Sequence, residues 1–430
     1  MNFYSLNKNA PNVSFKEAVI KGIAPDRGLY FPESITPLPS SFFSDIENLS
    51  NLEIAFMAIR QFVSDDIPEN KLKIILSEVL DFDFPIIEIE ENIGTLELFH
   101  GPTMAFKDVG ARFMAKCLGH FSKAEDKEVT VLVATSGDTG GAVANGFLGV
   151  KGVNVVILYP SGKVSDIQER QLTTLGQNIR ALEVDGTFDD CQSMVKSAFL
   201  DTELTSKMQL TSANSINVAR WLPQLFYFIF AYKQTKSKGK EIFFSVPSGN
   251  FGNICAGLMA QRLGMPVKHF IASTNVNKVV PNFMQTGKYE PKPSVATISN
   301  AMDVGDPSNF IRIQHLFKDN FKELKENVSS YSFTDKETKE AMLKIFKNNN
   351  YIADPHGAVG YLGLKKHQET HPESYGIFLE TAHPVKFLDT VEDVIQQKLE
   401  IPEKIAALLD KTNEATAISS YDELKEFLLS

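Results

Sequence analysis

Cysteines, long apolar runs and basic clusters are scarce or missing in this 430-residue sequence, and each shortage excludes a class of protein. Cys117, Cys191 and Cys255 stand too far apart for a metal knuckle, and they indicate buried, reduced thiols in a cytoplasmic protein. No apolar run approaches the ~20 residues that cross a bilayer, so we expect no membrane span. The charge balance of 43 Lys and Arg against 53 Asp and Glu, a net −10 without a basic block, argues against nucleic acid and anionic membranes as partners.

The composition is that of a globular protein. Hydrophobic residues make up 43% and charged residues 22% of the chain, which excludes disorder. The first residues lack a charged region followed by an apolar region, so we expect no secretion signal. At ~150 residues per domain, the length predicts two or three domains.

Short apolar runs alternate with helix-like segments through most of the chain. Because strands that are apolar throughout are typical of parallel sheets covered on both faces, the pattern predicts a doubly wound α/β fold. We expect a mostly helical extension over residues 1–95, a small α/β domain over 96–210 and a large α/β domain over 211–430. In this interpretation residues 217–233 form one buried connecting helix. The predicted strands lie at residues 129–134, 153–159, 179–184, 242–246, 267–272 and 376–380.

Three glycine-rich turns follow predicted strands or open helices, at residues 136–141, 248–253 and 354–357. Such a turn at a helix start presents free backbone N–H groups, and the helix dipole favours an anion there. None of the three matches a Walker loop or a G-x-G-x-x-G dinucleotide motif. The turns therefore favour a small phosphate ester over a nucleotide.

One lysine has unusual neighbours. Lys107 follows Met104, Ala105 and Phe106 and precedes a helical run. A lysine in apolar surroundings loses part of its preference for the charged state, so it becomes available as an amine nucleophile for a Schiff base. Spacing alone leaves open the alternative of an ordinary solvated charge.

The segment HGPTMAFKDVGAR at residues 100–112 resembles the cofactor-lysine motif of the threonine synthases. These enzymes use pyridoxal 5′-phosphate and have the tryptophan-synthase-β fold, known as fold type II. The N-terminal residues 12–32 resemble the extension of the longer microbial and fungal class. The resemblance implies two doubly wound α/β domains of this fold type with a mainly helical N-terminal extension. Further matches occur in the family's order: TSGDTG (135–140), SANSINVAR (212–220), PSGNFGN (247–253), AMDVGDPSN (301–309), DPHGAV (354–359) and ETAHP (380–384).

The resemblance implies a set of cofactor-binding residues. Lys107 forms the Schiff base with pyridoxal 5′-phosphate and moves protons on the substrate. Asp138 lies where related enzymes often carry an Asn beside the phenolic oxygen of the cofactor. Thr381 offers a neutral hydroxyl to the ring nitrogen, which tempers the electron sink. The cofactor phosphate is held by the turn formed by Gly249, Asn250, Phe251, Gly252 and Asn253.

The implied reaction converts O-phospho-L-homoserine and water to L-threonine and phosphate, the last step of threonine biosynthesis, by γ-elimination and β-hydration. Because the guanidinium fork suits phosphate, Arg220 and Arg112 are the candidates for the substrate phosphate. At helical spacing Asn217 and Arg220 share a face, so both could point at one anion. No histidine has the spacing of a metal site, so no metal is expected. The candidate substrate-binding residues are Thr103, Arg112, Ser136, Thr139, Ser215, Asn217 and Arg220.

Three alternatives remain open at this point. The first is another enzyme of the same fold, such as a serine or threonine dehydratase. The second is a non-catalytic homologue that binds a phosphorylated ligand, although such a binder could lose Lys107 freely. The third is a nucleotide-binding oxidoreductase, which the missing dinucleotide motif disfavours. We expect a cytoplasmic monomer or homodimer.

Overall fold

Strands and helices alternate along most of the chain. The computed structural model describes residues 1–63, 66–125 and 128–430. Its strands are β1 (Asn2–Ser5), β2 (Val13–Ser14), β3 (Tyr30–Pro32), β4 (Ile86–Glu90), β5 (Ile93–Glu97), β6 (Val129–Ala134), β7 (Val153–Pro160), β8 (Ile179–Val184), β9 (Gln209–Ser212), β10 (Ile242–Pro247), β11 (His269–Thr274), β12 (Val328–Ser332), β13 (Tyr375–Glu380) and β14 (Thr416–Ile418).

The helices cover the sheets, and the first four of them supply most of the regular structure of the N-terminal part. They are α1 (Phe15–Lys21), α2 (Ser40–Ser44), α3 (Asn51–Val63), α4 (Glu69–Val79), α5 (Lys107–Glu125), α6 (Asp138–Phe147), α7 (Asp166–Thr173), α8 (Phe188–Leu200), α9 (Thr202–Lys207), α10 (Val218–Trp221), α11 (Leu225–Thr235), α12 (Gly252–Arg262), α13 (Val279–Thr286), α14 (Phe310–Leu316), α15 (Phe321–Asn327), α16 (Asp335–Asn349), α17 (Pro355–Gln368), α18 (Leu388–Ile395), α19 (Glu403–Leu409) and α20 (Tyr421–Leu429). No helix in these described ranges is long and apolar enough to cross a membrane.

The larger sheet has six strands in the order β12-β11-β10-β13-β5-β4. All its neighbours pair in parallel except β4 with β5. Every residue of β10, β11 and β13 is buried, as the apolar runs predict for strands covered on both faces. Parallel pairing brings the carboxyl ends of β10 and β13 to the same edge, where open α/β sheets bind their ligands.

Strands β1–β3 form a three-stranded antiparallel sheet in the N-terminal part. Of the two sheets that parallel strands build, the smaller has five strands in the order β14-β8-β7-β6-β9, all parallel. The sheets depart from the expected division of the chain at two points. β4 and most of β5 precede residue 96 but belong to the larger sheet, and β14 near the C-terminus completes the smaller one. Which sheet a strand joins depends on pairing between distant strands. The composition along the chain carries no information about that pairing.

The predicted helix over residues 217–233 is interrupted. α10 ends at Trp221, a 3₁₀ turn spans Leu222–Gln224, and α11 follows. The break falls at Pro223, which has no backbone N–H to donate to the preceding turn. Both α10 and α11 are buried, and α10 packs against α5.

Candidate active site

Lys107 is the first residue of α5 and lies at the carboxyl edge of the larger sheet. The loop before it is paired with the loop after β13. The N–H of Phe106 donates to the carbonyl of Thr381 (2.8 Å), and the N–H of His383 donates to the carbonyl of Met104 (3.0 Å). These backbone bonds hold the predicted lysine beside the predicted threonine, although the two are far apart in the chain.

The Lys107 amine lies in a buried environment and is available to a ligand. The residue keeps some accessible surface, but within the described part of the chain its amine makes no hydrogen bond or ion pair. Burial lowers the pKa of Lys107 to about 8, helped by Lys386 and Arg220 and opposed by Asp138. A larger fraction of this amine is therefore neutral near pH 7 than for an ordinary lysine, as a nucleophile requires.

Asp138, the first residue of α6, is buried and paired with Lys386 at 2.6 Å. The amide of Gln168 donates to the same oxygen at 2.9 Å. Burial opposes ionisation, but Lys386 and Lys107 hold the pKa of Asp138 well below its ordinary value. The sequence analysis missed Lys386. A signal was present, because this lysine stands between two hydrophobic residues just after the ETAHP motif.

Thr103 braces the loop that carries the lysine. Its N–H donates to Asp108 at 2.9 Å and its hydroxyl also donates to that buried carboxylate. Its carbonyl accepts from Gln171 and from Lys386, each at 3.1 Å. These contacts give Thr103 a structural task, and its predicted contact with substrate stays a prediction.

The turn at residues 249–253 joins β10 to α12 and forms a cradle of backbone donors. In the described part of the chain, the five N–H groups of this turn find no protein acceptor. A Cβ on Gly249 would lie 2.7 Å from the carbonyl oxygen of Ala301 and 2.8 Å from the Cα of Met302. Only glycine fits there without moving backbone, so the turn presents an anion site at a helix start.

The side chains of this turn are occupied by the protein. The Asn250 amide donates to the Ser215 hydroxyl at 2.9 Å, and the Asn253 amide donates to the last carbonyl of β10 at 2.8 Å. Phe251 is buried edge-on against Phe310, with ring centres 5.7 Å apart. These residues therefore shape the cradle with their side chains and offer only backbone N–H groups to a ligand.

Thr381 is buried, and within the described residues its hydroxyl has no hydrogen-bond partner. Beside it lies a buried network that the sequence analysis did not foresee. Glu380 accepts the N–H of Asp354, and burial together with the Asp354 charge raises the pKa of Glu380 far above its ordinary value. Asp354 also accepts from His356 at 2.6 Å, and the other ring nitrogen of His356 accepts the N–H of Ala301 at 3.2 Å. This network supports the backbone against which the cradle rests.

The turn after β6 forms a second group of free donors. The hydroxyls of Ser136 and Thr139 and the N–H groups of Ser136, Asp138 and Thr139 have no partner within the described chain. Gly137 has a φ of +131°, and a Cβ there would also lie 2.4 Å from the side chain of Gln168. The turn thus presents hydroxyl and N–H donors at the start of α6, an arrangement that suits a carboxylate.

Arg220 on α10 is buried and lies near enough to Lys107 to lower its pKa. One guanidinium nitrogen donates to the carbonyl of Ala213, while Nε is buried without a partner. Burial lowers the pKa of Arg220 to about 10, so it stays cationic at neutral pH. An unpaired buried donor on a cation is a feature that an anionic ligand would satisfy.

Asn217 is the N-cap residue of α10, and its side chain is engaged by the protein. Its oxygen accepts the N–H of Ala219, and its amide donates to the carbonyls of Val19 (2.9 Å) and Ser212 (3.1 Å). Both amide hydrogens are thus engaged, and none is left for an anion. The N-cap role ties Asn217 to the N-terminal extension, and its predicted contribution to binding one anion together with Arg220 stays a prediction.

Arg112 points away from the cradle. It forms an ion pair of 2.5 Å with Asp81 and lies over the ring of Phe82, 5.7 Å from its centre. These partners belong to the N-terminal part of the chain. The charge of Arg112 is therefore paired within the protein, without a ligand.

The sequence analysis also missed Arg312 on α14, which is fully buried. It stacks on Trp221 at 4.3 Å and donates to Asn309 (2.7 Å), Ser215 (3.2 Å) and Tyr30 (3.0 Å). The amide of Asn309 in turn donates to the Ser215 hydroxyl at 3.0 Å. Arg312 thus joins the N-terminal extension to the residues that surround the cradle.

The residues fit a phosphorylated aldehyde cofactor. An uncommitted amine with a lowered pKa, a free buried hydroxyl and a cradle of unpaired N–H groups converge at one sheet edge. Each supplies one of the interactions that pyridoxal 5′-phosphate needs, at its aldehyde, ring nitrogen and phosphate respectively. No group of three or more His, Cys, Asp or Glu side chains in the described ranges is arranged to hold a metal ion.

Sequence and structure comparisons agree with this arrangement. A family described as "Pyridoxal-phosphate dependent enzyme" matches residues 94–379, while "Threonine synthase N terminus" and "Threonine synthase, C-terminal" match residues 2–79 and 357–428. The threonine synthase of Escherichia coli K12 is 44% identical over 414 residues, 95% of each chain. The crystal structure of threonine synthase from Escherichia coli superposes with a TM-score of 0.94 at 41% identity, covering 100% of this chain and 99% of that one. A PLP-bound threonine synthase from Brucella melitensis gives 0.92 at 30% identity, covering 100% and 98%.

The fold and the matched central region define a pyridoxal-phosphate-dependent enzyme of the α/β class. The match over the full length, including both terminal regions, narrows the class. The chain belongs to the threonine synthase family. The family, fold and cofactor predicted from the motifs are thereby confirmed.

Proposed function

We propose that this chain converts O-phospho-L-homoserine and water to L-threonine and inorganic phosphate. The observation that carries the proposal is the uncommitted amine of Lys107, held where the cradle at residues 249–253, the donors after β6 and the cation Arg220 converge. A substrate with an amine, a carboxylate and a phosphate needs these three kinds of partner. Membership of the threonine synthase family supports the same reaction.

Pyridoxal 5′-phosphate, when bound, supplies the electron withdrawal that makes the Cα and Cβ protons of the substrate acidic. Lys107 would hold its aldehyde, and the N–H groups of Gly249, Asn250, Phe251, Gly252 and Asn253 would hold its phosphate. Thr381 would offer its hydroxyl to the ring nitrogen, and Asp138 would lie beside the ring.

The substrate is bound in this proposal by two sets of donors. Ser136 and Thr139, with the N–H groups of their turn, hold the carboxylate. Arg220 binds the phosphate through its unpaired Nε, and the Ser215 hydroxyl, which accepts two amide hydrogens and keeps its own to donate, lies on the cradle side. Thr103 and Arg112 shape the surrounding loop and helix through the contacts described above.

Lys107 moves the protons. It would carry one proton at a time: the neutral amine takes the Cα proton and passes it on before it takes one from Cβ, and phosphate leaves from Cγ with the electron pair of the Cγ–O bond. Of the two protons removed, one would return to Cγ and the other would leave with phosphate, while water would supply a hydroxyl group to Cβ and a proton to Cα. The lowered pKa of Lys107 suits both directions of transfer near neutral pH, because an amine with a pKa near the working pH can accept and donate.

Product analysis tests the function. The purified holoenzyme should form threonine and phosphate from O-phospho-L-homoserine in equal amounts. Release of ammonia from serine or threonine, with O-phospho-L-homoserine untouched, would identify a dehydratase instead. Binding of the phosphorylated substrate without turnover would identify a non-catalytic binder.

Lys107→Ala should remove the visible absorbance of the bound cofactor and lower turnover by about 10²–10⁴-fold or more, because the proton carrier is lost. Lys116→Ala is the matched control on the same helix, since Lys116 is exposed in an ion pair with Glu78. The control should keep both properties. Turnover that survives in the Lys107→Ala variant would reject the assigned role.

The same proposal includes a monomer or homodimer in the cytoplasm that binds a small molecule and neither nucleic acid nor membrane. The net charge of −10 and the absence of a membrane-crossing helix within the described residues support it. Light scattering of the purified chain measures the oligomeric state.

A further inference from the structure

Lys386 is a second lysine at the candidate site, and its side chain is fully buried. It stands in the 3₁₀ turn Pro384–Phe387 that follows β13. Its amine lies 2.6 Å from a carboxylate oxygen of Asp138 and donates to the carbonyl of Thr103 at 3.1 Å. The ion pair between Lys386 and Asp138 therefore links the edge of the larger sheet to the first turn of α6, the helix that follows β6.

The charges that act on Lys107 come from three elements, which are α6, α10 and the turn after β13. The carboxylate of Asp138 on α6 favours the charged form of Lys107. Lys386, in the turn after β13, and Arg220 on α10 both disfavour that charged form. Lys386 also faces Asp108 on α5 and His383 in its own turn. The charged groups that act on Lys107 are thus one carboxylate, Asp138, and two buried cations, Lys386 and Arg220.

We propose that Lys386 is a positioning residue that keeps the Asp138 carboxylate in an ion pair of its own, so that Lys107 stays available as a neutral amine. This inference rests on the proposed role of Lys107 as the cofactor-binding lysine. It assigns to Lys386 no contact with substrate.

Lys386 and Lys107 compete for the carboxylate of Asp138. Asp138 has Lys386 at ion-pair distance and Lys107 as its other cationic neighbour. A buried carboxylate that loses its partner is strongly unfavourable, so without Lys386 it would hold Lys107 as an ammonium ion. An ammonium ion has no lone pair with which to attack an aldehyde.

The test measures how fast the cofactor-free, full-length chain captures pyridoxal 5′-phosphate at different pH values. In this step the neutral amine adds to the aldehyde carbon, a C=N bond forms and one water leaves. The growth of the visible absorbance gives a rate whose midpoint in pH reports the ionisation of the lysine. Borohydride reduction followed by peptide mapping identifies the lysine that was modified.

Four variants give signed expectations. Lys386→Met should move the midpoint upward by about one pH unit or more, which makes capture near pH 7 about tenfold slower. Asp138→Asn should move it downward, because two cations then act on Lys107 without a carboxylate. The double variant has no carboxylate for which Lys386 could compete, so replacing Lys386 should shift the midpoint much less there than in the wild-type chain. Lys386→Arg, which keeps the charge, should stay closer to wild type than Lys386→Met.

The outcomes separate the two proposals. An upward shift for Lys386→Met that is largely lost in the Asp138→Asn background supports the inference, since independent effects would add. A Lys386→Met midpoint that is unchanged or lower overturns it, and so does an equal upward shift in both backgrounds. If Lys386→Met does not fold, an Asp138→Asn midpoint equal to or above that of the wild type overturns it. Modification of a lysine other than Lys107 in the wild-type chain would refute the proposed function itself.

Discussion

Three stacked histidines predict a loss of stability in acid. His269 on β11, His367 on α17 and His371 just beyond that helix lie with ring centres 4.7 and 4.5 Å apart, at interplanar angles of 13° and 3°. Phe243 presents its ring edge-on to His367 and His371. The Nε2 atom of His367 is buried without a partner, so a proton there would create an unpaired buried charge.

The magnitude follows from the pKa values. Burial lowers the pKa of His269 to about 4 and that of His367 to about 3, from 6.5 in an ordinary setting. Because the folded values are lower, the unfolded chain binds protons first as the pH falls. The stability is therefore fully present above about pH 6.5 and is lost as the pH falls towards about 4. At about pH 5 each histidine lowers the free energy of unfolding by about 2 kcal/mol relative to about pH 8, or about 4 kcal/mol for the two taken independently.

Replacing His367 by Phe keeps an aromatic ring between its neighbours and removes one proton-binding group. We expect this variant to lose only about 2 kcal/mol between about pH 8 and pH 5. Denaturant unfolding followed by fluorescence of Trp221, the single tryptophan, measures the loss at each pH. Phe243→Leu, which changes the packing against the stack and removes no proton-binding group, is the matched control and should show the wild-type loss.

Other groups titrate in the same pH range, so the quantity that tests the reasoning is the difference between wild type and His367→Phe. Equal losses in the two proteins would refute it. A larger loss in the variant would mean that the imidazole of His367 stabilises the acid form, which is the opposite of the stated cause.

Two further substitutions test the supports of the cradle. Gly249→Ala should weaken pyridoxal 5′-phosphate binding about 5- to 150-fold, because overpacking costs about 1–3 kcal/mol and here the neighbours are backbone atoms; equilibrium titration measures it. Gly360→Ala is its control, with nearest atoms at 3.4 Å, and equal affinities in the two variants would contradict the fit. Arg312→Met should lower the free energy of unfolding by about 3–5 kcal/mol, since several buried carbonyls lose their donor; thermal unfolding reports it. Arg262→Met, at a half-exposed ion pair, should cost at most about 1 kcal/mol, and an Arg312→Met variant no less stable than this control would be inconsistent with the proposed support.

Local patterns predicted the central strands well. Residues 129–134 and 179–184 coincide with β6 and β8, and the run at 376–380 differs from β13 by one residue. An apolar, β-branched run bounded by turns carries its own signal, because burial on both faces requires it at every position. Strands β9, β12 and β14 were not predicted, since they lie at sheet edges and contain polar residues that resemble loops.

The residues of the site likewise fall into those that local sequence patterns identify and those that they do not. Lys107 and the glycine turns could be found because apolar neighbours and glycine spacing are local properties. The pairing of Asp138 with Lys386, and the use of Asn217 as an N-cap, could not be found so. They depend on which distant segments the folded sheets bring within hydrogen-bond distance.

The sequence by itself determined the family, and it singled out Lys107 and the glycine-rich turns as the candidates for the reactive amine and the anion sites. The tertiary structure alone decided which charges surround that amine. Electrostatic interactions in a protein depend on distances of a few ångströms and on burial, and neither is set by separation along the chain. Lys107 is therefore identifiable from its neighbours in sequence, whereas its lowered pKa comes from desolvation and from the charges on α6, on α10 and in the turn after β13.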